Sequence, residues 1–141
     1  HKKGIRVLWL GTKEKLSDKH LDAIKKAVEK TKNNTKGTVC FCFNYGGTQE
    51  IVDGVKKFIK SGQSVDDLDV GNFRGYLYEP EVPDVDIIVR TSGEERISNF
   101  MLWRAAYAEL FFMKKHWPDF GSEDVDTIIS EYNTRQRRYG A

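Results

Sequence analysis

Two rhythms of apolar residues divide this chain into strands and helices. Ile5 to Leu10, IRVLWL, is a compact apolar run stopped by Gly11, which predicts a strand. Leu21, Ile24, Ala27 and Val28 then recur at helical spacing behind Ser17, a residue suited to an N-cap, up to about Thr31. A polar loop from Lys32 to Gly37 closes that helix, and Thr38 to Phe43 predicts a second strand. After Asn44-Tyr45-Gly46-Gly47, a helix opens at Gly47 or Thr48. It carries Ile51, Val52, Val55, Phe58 and Ile59 on one side and ends at Ser61-Gly62. Ser64–Leu68 and Gly71–Leu77 read as short helical turns, and Glu79-Pro80-Glu81-Val82-Pro83 as a stiff extended connector.

The second half follows the same alternation. Asp86 to Val89 is a β-branched run that predicts a buried strand ending at Arg90, and Thr91-Ser92-Gly93 is turn chemistry. Ser98 and Asn99 offer an N-cap. Phe100, Trp103, Tyr107 and Leu110 repeat at helical spacing, with Ala105, Ala106 and Ala108 between them, which predicts an amphipathic helix. Leu110-Phe111-Phe112 suggests a short edge strand and Trp117-Pro118-Asp119-Phe120 a turn. Ser122 starts a last helix with Val125, Ile128, Ile129 and Tyr132 on its apolar face.

Strands alternating with helices predict an α/β fold, a parallel β-sheet flanked by helices. At 141 residues the chain is expected to form one domain. Three clear strands make a thin sheet, so further strands are expected from an N-terminal part. The opening His1-Lys2-Lys3-Gly4, without Met, suggests a cropped or processed chain. With 39% hydrophobic residues there is enough material for a core, and no apolar run reaches the roughly 18 residues of a membrane span. A net charge of +2 argues against nucleic acid as a partner. Cys40 and Cys42 lie two apart on one strand face. That spacing resists a mutual disulfide and leaves too few ligands for zinc, so they read as buried thiols in a reducing compartment.

The candidate chemistry sits where the third strand ends. Such strand ends, followed by a glycine turn and a helix N-terminus, are where open α/β sheets bind ligands. Arg90 and Arg96 supply two guanidinium forks and Ser98 opens the expected helix, an arrangement suited to phosphate or diphosphate oxygens. Glu94, Glu95 and Glu109 stand among these cations, which points to a divalent cation or to hydrogen bonds with a partner residue. A solvated loop with surface ion pairs is the alternative. Asn44 follows the second strand in the same way, either aimed into the cleft or serving a tight turn with Gly46 and Gly47. Arg135, Arg137 and Arg138 form a basic end, read as a frayed helix terminus or as a mobile arm reaching an anion.

These residues also resemble a family. Arg90-Thr91-Ser92-Gly93-Glu94, Arg96-Ile97-Ser98-Asn99-Phe100, Leu102-Trp103 and Ala106-Tyr107-Ala108-Glu109 resemble the C-terminal signature of the cis-prenyltransferases, the family of isoprenyl transferases and undecaprenyl diphosphate synthases. Asn44-Tyr45-Gly46-Gly47, Trp117-Pro118-Asp119-Phe120 and Arg137-Arg138-Tyr139-Gly140 fall in the family's order, so the resemblance spans essentially the whole chain.

The resemblance implies a homodimeric, magnesium-dependent enzyme that condenses isopentenyl diphosphate onto an allylic diphosphate such as farnesyl diphosphate. The product would be a polyprenyl diphosphate, of the kind that serves as a cell-wall lipid carrier. It implies a cytoplasmic location, with peripheral association at the inner face of the membrane. By position, Arg90, Arg96 and Ser98 would hold the isopentenyl diphosphate headgroup, with Glu94 and Asn44 beside it. Glu109 would act with magnesium or with the headgroup residues. Arg138 and Gly140 would match the Arg-x-Gly tail that reaches a diphosphate at the dimer boundary. Glu95 stands where a His is usual, so it is a weak metal candidate. The family's Asp-Gly-Asn-Gly-Arg-Trp loop, which binds the allylic diphosphate and supplies the essential Asp, is not in these residues. No catalytic residue is therefore expected within the chain, and it is expected to be inactive alone. A noncatalytic partner subunit of a two-subunit cis-prenyltransferase is the alternative, disfavoured by the intact Arg-Thr-Ser-Gly-Glu motif.

Overall fold

The structure is a computed structural model that describes residues 1–135. The chain divides into two compact units, His1–Val82 and Pro83–Ala141. Strands pair in parallel and helices flank them, giving an α/β architecture.

In the first unit, β1 (Ile5–Leu10) and β2 (Gly37–Cys42) form a two-stranded parallel sheet in the register Ile5↔Gly37 to Leu10↔Cys42. The crossover between them carries α1 (Asp18–Thr31), the helix that parallel strands ordinarily require. Ser17 stands at its N-cap, with its hydroxyl 3.0 Å from His20 Nδ1 rather than on a backbone N–H. The end of the helix is pinned to the sheet. Thr31 is buried, donates to the Ala27 carbonyl at 2.8 Å and accepts the Val7 N–H at 3.0 Å. Asn34 Nδ2 adds a bond to the Ile5 carbonyl at 2.7 Å. Backbone groups of β1 that would otherwise lie open are thus occupied by side chains.

α2 (Gly47–Ser61) follows β2 and stops at Gly62, whose φ of 73° is the left-handed conformation favoured at a helix C-terminus. Gly54 is where the chain following α2 comes closest. A Cβ there would lie 3.1 Å from the Phe73 ring and 3.4 Å from Leu77. That chain folds as a 3-10 turn (Val65–Asp67), one helical turn α3 (Val70–Phe73) and a second 3-10 turn (Arg74–Tyr76). Asp69 and Asn72 cap α3 reciprocally. Leu8, Leu10, Phe58, Phe73, Leu77 and Val82 are the buried apolar residues of this unit. Cys40 and Cys42 are half-buried rather than fully buried, and no disulfide joins them.

In the second unit, β3 (Ile87–Arg90) pairs in parallel with β4 (Glu109–Phe112), from Ile87↔Glu109 to Arg90↔Phe112. A 3-10 turn (Trp117–Asp119) leads to α4 (Ser122–Thr134). Asp124 fixes the start of α4 by accepting the Gly121 N–H at 2.9 Å and the Lys115 ammonium at 2.7 Å. Near the other end, the Tyr132 hydroxyl bonds Asp86 at 3.0 Å and the Arg135 guanidinium lies 4.0 Å from the Phe111 ring centre.

One expected element is missing. No helix forms between Ser98 and Leu110; the segment is a succession of turns. Ser98, Asn99 and Met101 all have positive φ (44°, 65° and 51°), a conformation costing L-residues roughly 1–2 kcal/mol each and incompatible with a right-handed helix. The apolar periodicity fails with it. Of the expected helix face, Phe100, Tyr107 and Leu110 are exposed and Trp103 is half-buried, whereas Met101 and Arg104 are buried. Periodicity alone could not distinguish a helix from a coil that buries a different set of side chains.

Candidate functional site

β3 carries Arg90 at its C-terminal end, and the turns that follow bring three candidate residues back to it. Arg90 Nη1 donates to the Ser98 hydroxyl at 2.9 Å and to the Arg96 carbonyl at 2.5 Å. The Arg96 guanidinium pairs with the Glu94 carboxylate. Arg90, Glu94, Arg96 and Ser98 therefore form one connected group. Ser98 reaches Arg90 because its left-handed backbone reverses the chain, a function different from the helix cap expected of it. Arg96 is well exposed, at 60% of its side-chain surface. Among the described residues Arg90 spends a single nitrogen on protein partners, which leaves most of its five N–H donors unused by them.

Two backbone amides of the turn are already taken. Ser92 N–H bonds the Lys115 carbonyl at 2.7 Å and Gly93 N–H bonds the Met113 carbonyl at 2.8 Å. Met113 N–H returns a bond to the Arg90 carbonyl at 2.8 Å. With no helix start at Ser98 and both turn amides taken, the groups left here that could meet an anion are the two guanidinium groups and the hydroxyl. These bonds have a structural effect instead. They fasten the turn to the segment after β4, so that Arg90 and Ser98 emerge from a braced loop.

Glu109 is not part of this group. It opens β4 opposite Ile87, at the other end of the strand pair from Arg90. Its carboxylate accepts from Arg135 Nη1 at 2.7 Å, while Arg135 Nη2 bonds Glu131 at 2.5 Å. Glu95 is exposed on the turn segment. Among the described residues no three His, Cys, Asp or Glu side chains come together to hold a metal ion, so Glu109 and Glu95 do not build a magnesium site by themselves. Arg138 and Gly140 lie outside the described residues.

In the first unit Asn44 takes the turn role of its two alternatives. It has a φ of 54°, and its amide nitrogen donates to the carbonyls of Thr12 and Glu14, each at 2.8 Å. Thr12 N–H closes the clasp on the Asn44 carbonyl at 3.1 Å. Both amide donors of the side chain are used in holding two loops together.

Close to it lies a network that the residue pattern did not single out. Glu50, 1% exposed, accepts from the Tyr45 hydroxyl at 2.5 Å and the Tyr78 N–H at 3.1 Å. The Tyr78 hydroxyl donates to Asp53 at 2.5 Å. Burial and then the Asp53 carboxylate push the Tyr78 phenol well above its ordinary value. Asp53 is lowered: burial raises it, but bonds from Tyr78, Gln49 and Lys56 outweigh that effect. The signal available in the sequence was the i, i+3 placement of Glu50 and Asp53 on an apolar helix; the tyrosine partners come from elsewhere in the chain. Arg104, 1% exposed, gave no signal: it interrupts the apolar run from Phe100 to Ala108, and a lone Arg among apolar residues ordinarily turns its charged head to water.

Against this geometry the comparisons with known proteins are decisive. The family model described as "Putative undecaprenyl diphosphate synthase" matches residues 1–140. The chain belongs to that family. It is 46% identical over 140 residues to an isoprenyl transferase of Rickettsia bellii, which it covers to 61% of that protein's length. It is 48% identical over 139 residues to an isoprenyl transferase of Thermotoga maritima, covering 59% of it. The chain thus spans about three fifths of the length of these curated relatives.

Two solved structures resemble the fold over nearly the whole chain. A probable undecaprenyl diphosphate synthase from Campylobacter jejuni superposes with a TM-score of 0.90 at 31% identity, with 99% of this chain and 65% of that one covered. Lavandulyl diphosphate synthase from Lavandula x intermedia, solved in complex with dimethylallyl diphosphate, gives 0.92 at 30% identity, covering 100% and 62%. Among the described residues no helix is long and apolar enough to cross a membrane.

Proposed function

We propose that the Arg90–Ser98–Arg96 group is the headgroup site for isopentenyl diphosphate in a transferase that elongates cis-prenyl chains on an allylic diphosphate. The observation that carries this reading is the convergence of Arg90 and Ser98, 2.9 Å apart, beside the exposed Arg96. Two planar guanidinium groups match the oxygen spacing of a diphosphate and hold its charge by bidentate bonds. Glu94 keeps Arg96 in place until a more highly charged ligand displaces it. Family membership supplies the prior for the substrate class, and the names of the relatives agree with prenyl diphosphate chemistry.

In that reaction the allylic carbon–oxygen bond breaks as diphosphate departs, the alkene of isopentenyl diphosphate forms the new carbon–carbon bond, and loss of a proton from C2 of the isopentenyl unit to diphosphate or water leaves the new double bond. Positioning the alkene converts an encounter between two substrates into a step within one complex. Arg90, Arg96 and Ser98 perform that positioning for one substrate. Stabilising the charge on the departing diphosphate is a separate task, for which magnesium is the group implied by the family. The described carboxylates do not form a self-contained magnesium site.

These 141 residues also lack the Asp-Gly-Asn-Gly-Arg-Trp loop. On this reading they bind isopentenyl diphosphate without condensing it, and the complete site requires residues beyond them, with a second copy of the protein as the expected partner. The test is to give the chain radiolabelled isopentenyl diphosphate, farnesyl diphosphate and magnesium. Retention of label by equilibrium dialysis with no extractable prenyl product is expected. No retention refutes the headgroup site; product formation refutes the division of labour.

A further inference from the structure

A cleft in the first unit is built for a charged ligand and shares no residue with the Arg90 group. Its volume is about 490 Å³, and Lys13 in the loop after β1 and Lys56, Lys57 and Lys60 on α2 line it together with two carboxylates, Asp53 and Glu79. Two positive charges are in excess there, as many as the net +2 of the entire chain, so the remainder of the molecule is balanced overall.

The carboxylates do not cancel the lysines one for one. Asp53 accepts the Tyr78 hydroxyl at 2.5 Å, Gln49 Nε2 at 2.9 Å and, more distantly, Lys56 at 3.5 Å. Its charge is shared among three donors, and no lysine is held in a tight pair by it. Lys57 is set in place by the protein, with its ammonium 3.2 Å from the Leu77 carbonyl and 5.5 Å from the centre of the Tyr78 ring. That bond uses one of its three N–H donors. Lys13 and Lys60 make no ion pair among the described residues. Like charges gathered on one concave surface repel one another, and an oxyanion removes that repulsion while supplying acceptors.

We propose that this lysine cleft binds a phosphate-class oxyanion. Ammonium groups on flexible stems act as point charges, so the site selects for charge and size rather than for one bidentate geometry. A second cavity of about 510 Å³ shares Trp9, Lys13 and Glu79 with the cleft and continues over Leu21, Ile24 and Val28 of α1, with Lys25 and Glu29 also lining it. The phosphate therefore comes either as a free ion or as the headgroup of an apolar molecule. The proposal does not depend on the Arg90 reading, and either can fail alone.

The test titrates inorganic diphosphate into the ¹⁵N-labelled chain at low salt, with Lys57→Gln/Lys60→Gln and Lys30→Gln variants. Lys30 lies on α1 away from the cleft, so its variant controls for the loss of one charge, and circular dichroism checks that each variant is folded. Saturable shifts at residues 11–13, 53–60 and 78–79 are expected. They should weaken at least tenfold in the double variant and stay within twofold of the parent in Lys30→Gln. A parallel arm sediments the same proteins with phosphatidylglycerol vesicles and with neutral phosphatidylcholine vesicles. Binding to diphosphate assigns the site to free anions, and lysine-dependent binding to phosphatidylglycerol vesicles alone assigns it to headgroups. The proposal is overturned if neither ligand binds, or if Lys30→Gln loses as much as the double variant.

Discussion

The two units solve the same connection problem in different ways. Both join a pair of parallel strands, β1 to β2 and β3 to β4. The first crosses over through α1, a regular helix whose end is fastened to the sheet by Thr31 and Asn34. The second crosses through turns, four of whose non-glycine residues, Ser92, Ser98, Asn99 and Met101, have positive φ. A helix satisfies its own backbone and presents side chains along a stripe. A turn sequence needs outside partners for its backbone but can fold arginines and a serine back onto one strand end. The regular crossover is concerned with packing, and the irregular one assembles the candidate site. Strained backbone of this kind, paid for by surrounding contacts, is common at functional sites.

If that contrast is right, the largest effects should come from burial in either unit. Leu10, fully buried on β1, is expected to cost about 2–5 kcal/mol as Leu10→Ala, read as a lowered urea midpoint. Arg104→Ala should cost a comparable 2–4 kcal/mol in the second unit, where an arginine that is 1% exposed leaves a cavity and broken contacts. An Arg104 variant as stable as the parent would remove the claim that the turns are braced from within.

Next in size comes the binding group. Arg96→Ala should weaken isopentenyl diphosphate binding by about 1.5–3 kcal/mol, as loss of a charge-assisted bond does, while leaving the urea midpoint nearly unchanged because the side chain is exposed. Asn44→Ala in the first unit should behave in the opposite way. It loses two bonds to loop carbonyls, with an expected cost of about 1–2 kcal/mol in stability and no direct effect on headgroup affinity.

The smallest effect separates the units by acid. Asp124 is held below its ordinary value of 3.8, first by Lys115 and then by the Gly121 N–H, and Asp53 is lowered as well. A carboxyl that binds its proton less readily when folded contributes stability present above its unfolded value and lost as pH falls below it. Melting temperatures should therefore decline below about pH 4. Asp124→Asn and Asp53→Asn should each flatten part of that decline, whereas an unchanged acid limb in both would deny these pairs a role in stability.

How much of this was legible follows from the same contrast. β1, α1 and α2 form close to where their apolar rhythm predicts them, but on α2 Val52, Val55 and Ile59 of the expected apolar side are exposed, and Gly47, Glu50 and Gly54 are buried beside Phe58. β2 begins one residue earlier than the polar loop suggested. Arg90, Arg96, Ser98 and Glu94 were recognisable as a set from their spacing and family resemblance, and the structure brings them together. The helix N-terminus expected at Ser98 does not form: Ser98 and Asn99 adopt left-handed conformations instead of capping a helix, and the Ser92 and Gly93 amides are already bonded. Glu109 stands apart because strand register, which spacing does not encode, puts it at the far end of the pair.

Calorimetric titration of isopentenyl diphosphate into the chain and its Arg96→Ala and Ser98→Ala variants tests the central claim most directly. The account predicts saturable binding to the parent, a loss of roughly ten- to a hundredfold in Arg96→Ala, and a smaller loss in Ser98→Ala, whose hydroxyl orders Arg90. Equal affinity across the three proteins, at unchanged folding, would contradict it and remove the Arg90 group from the headgroup site.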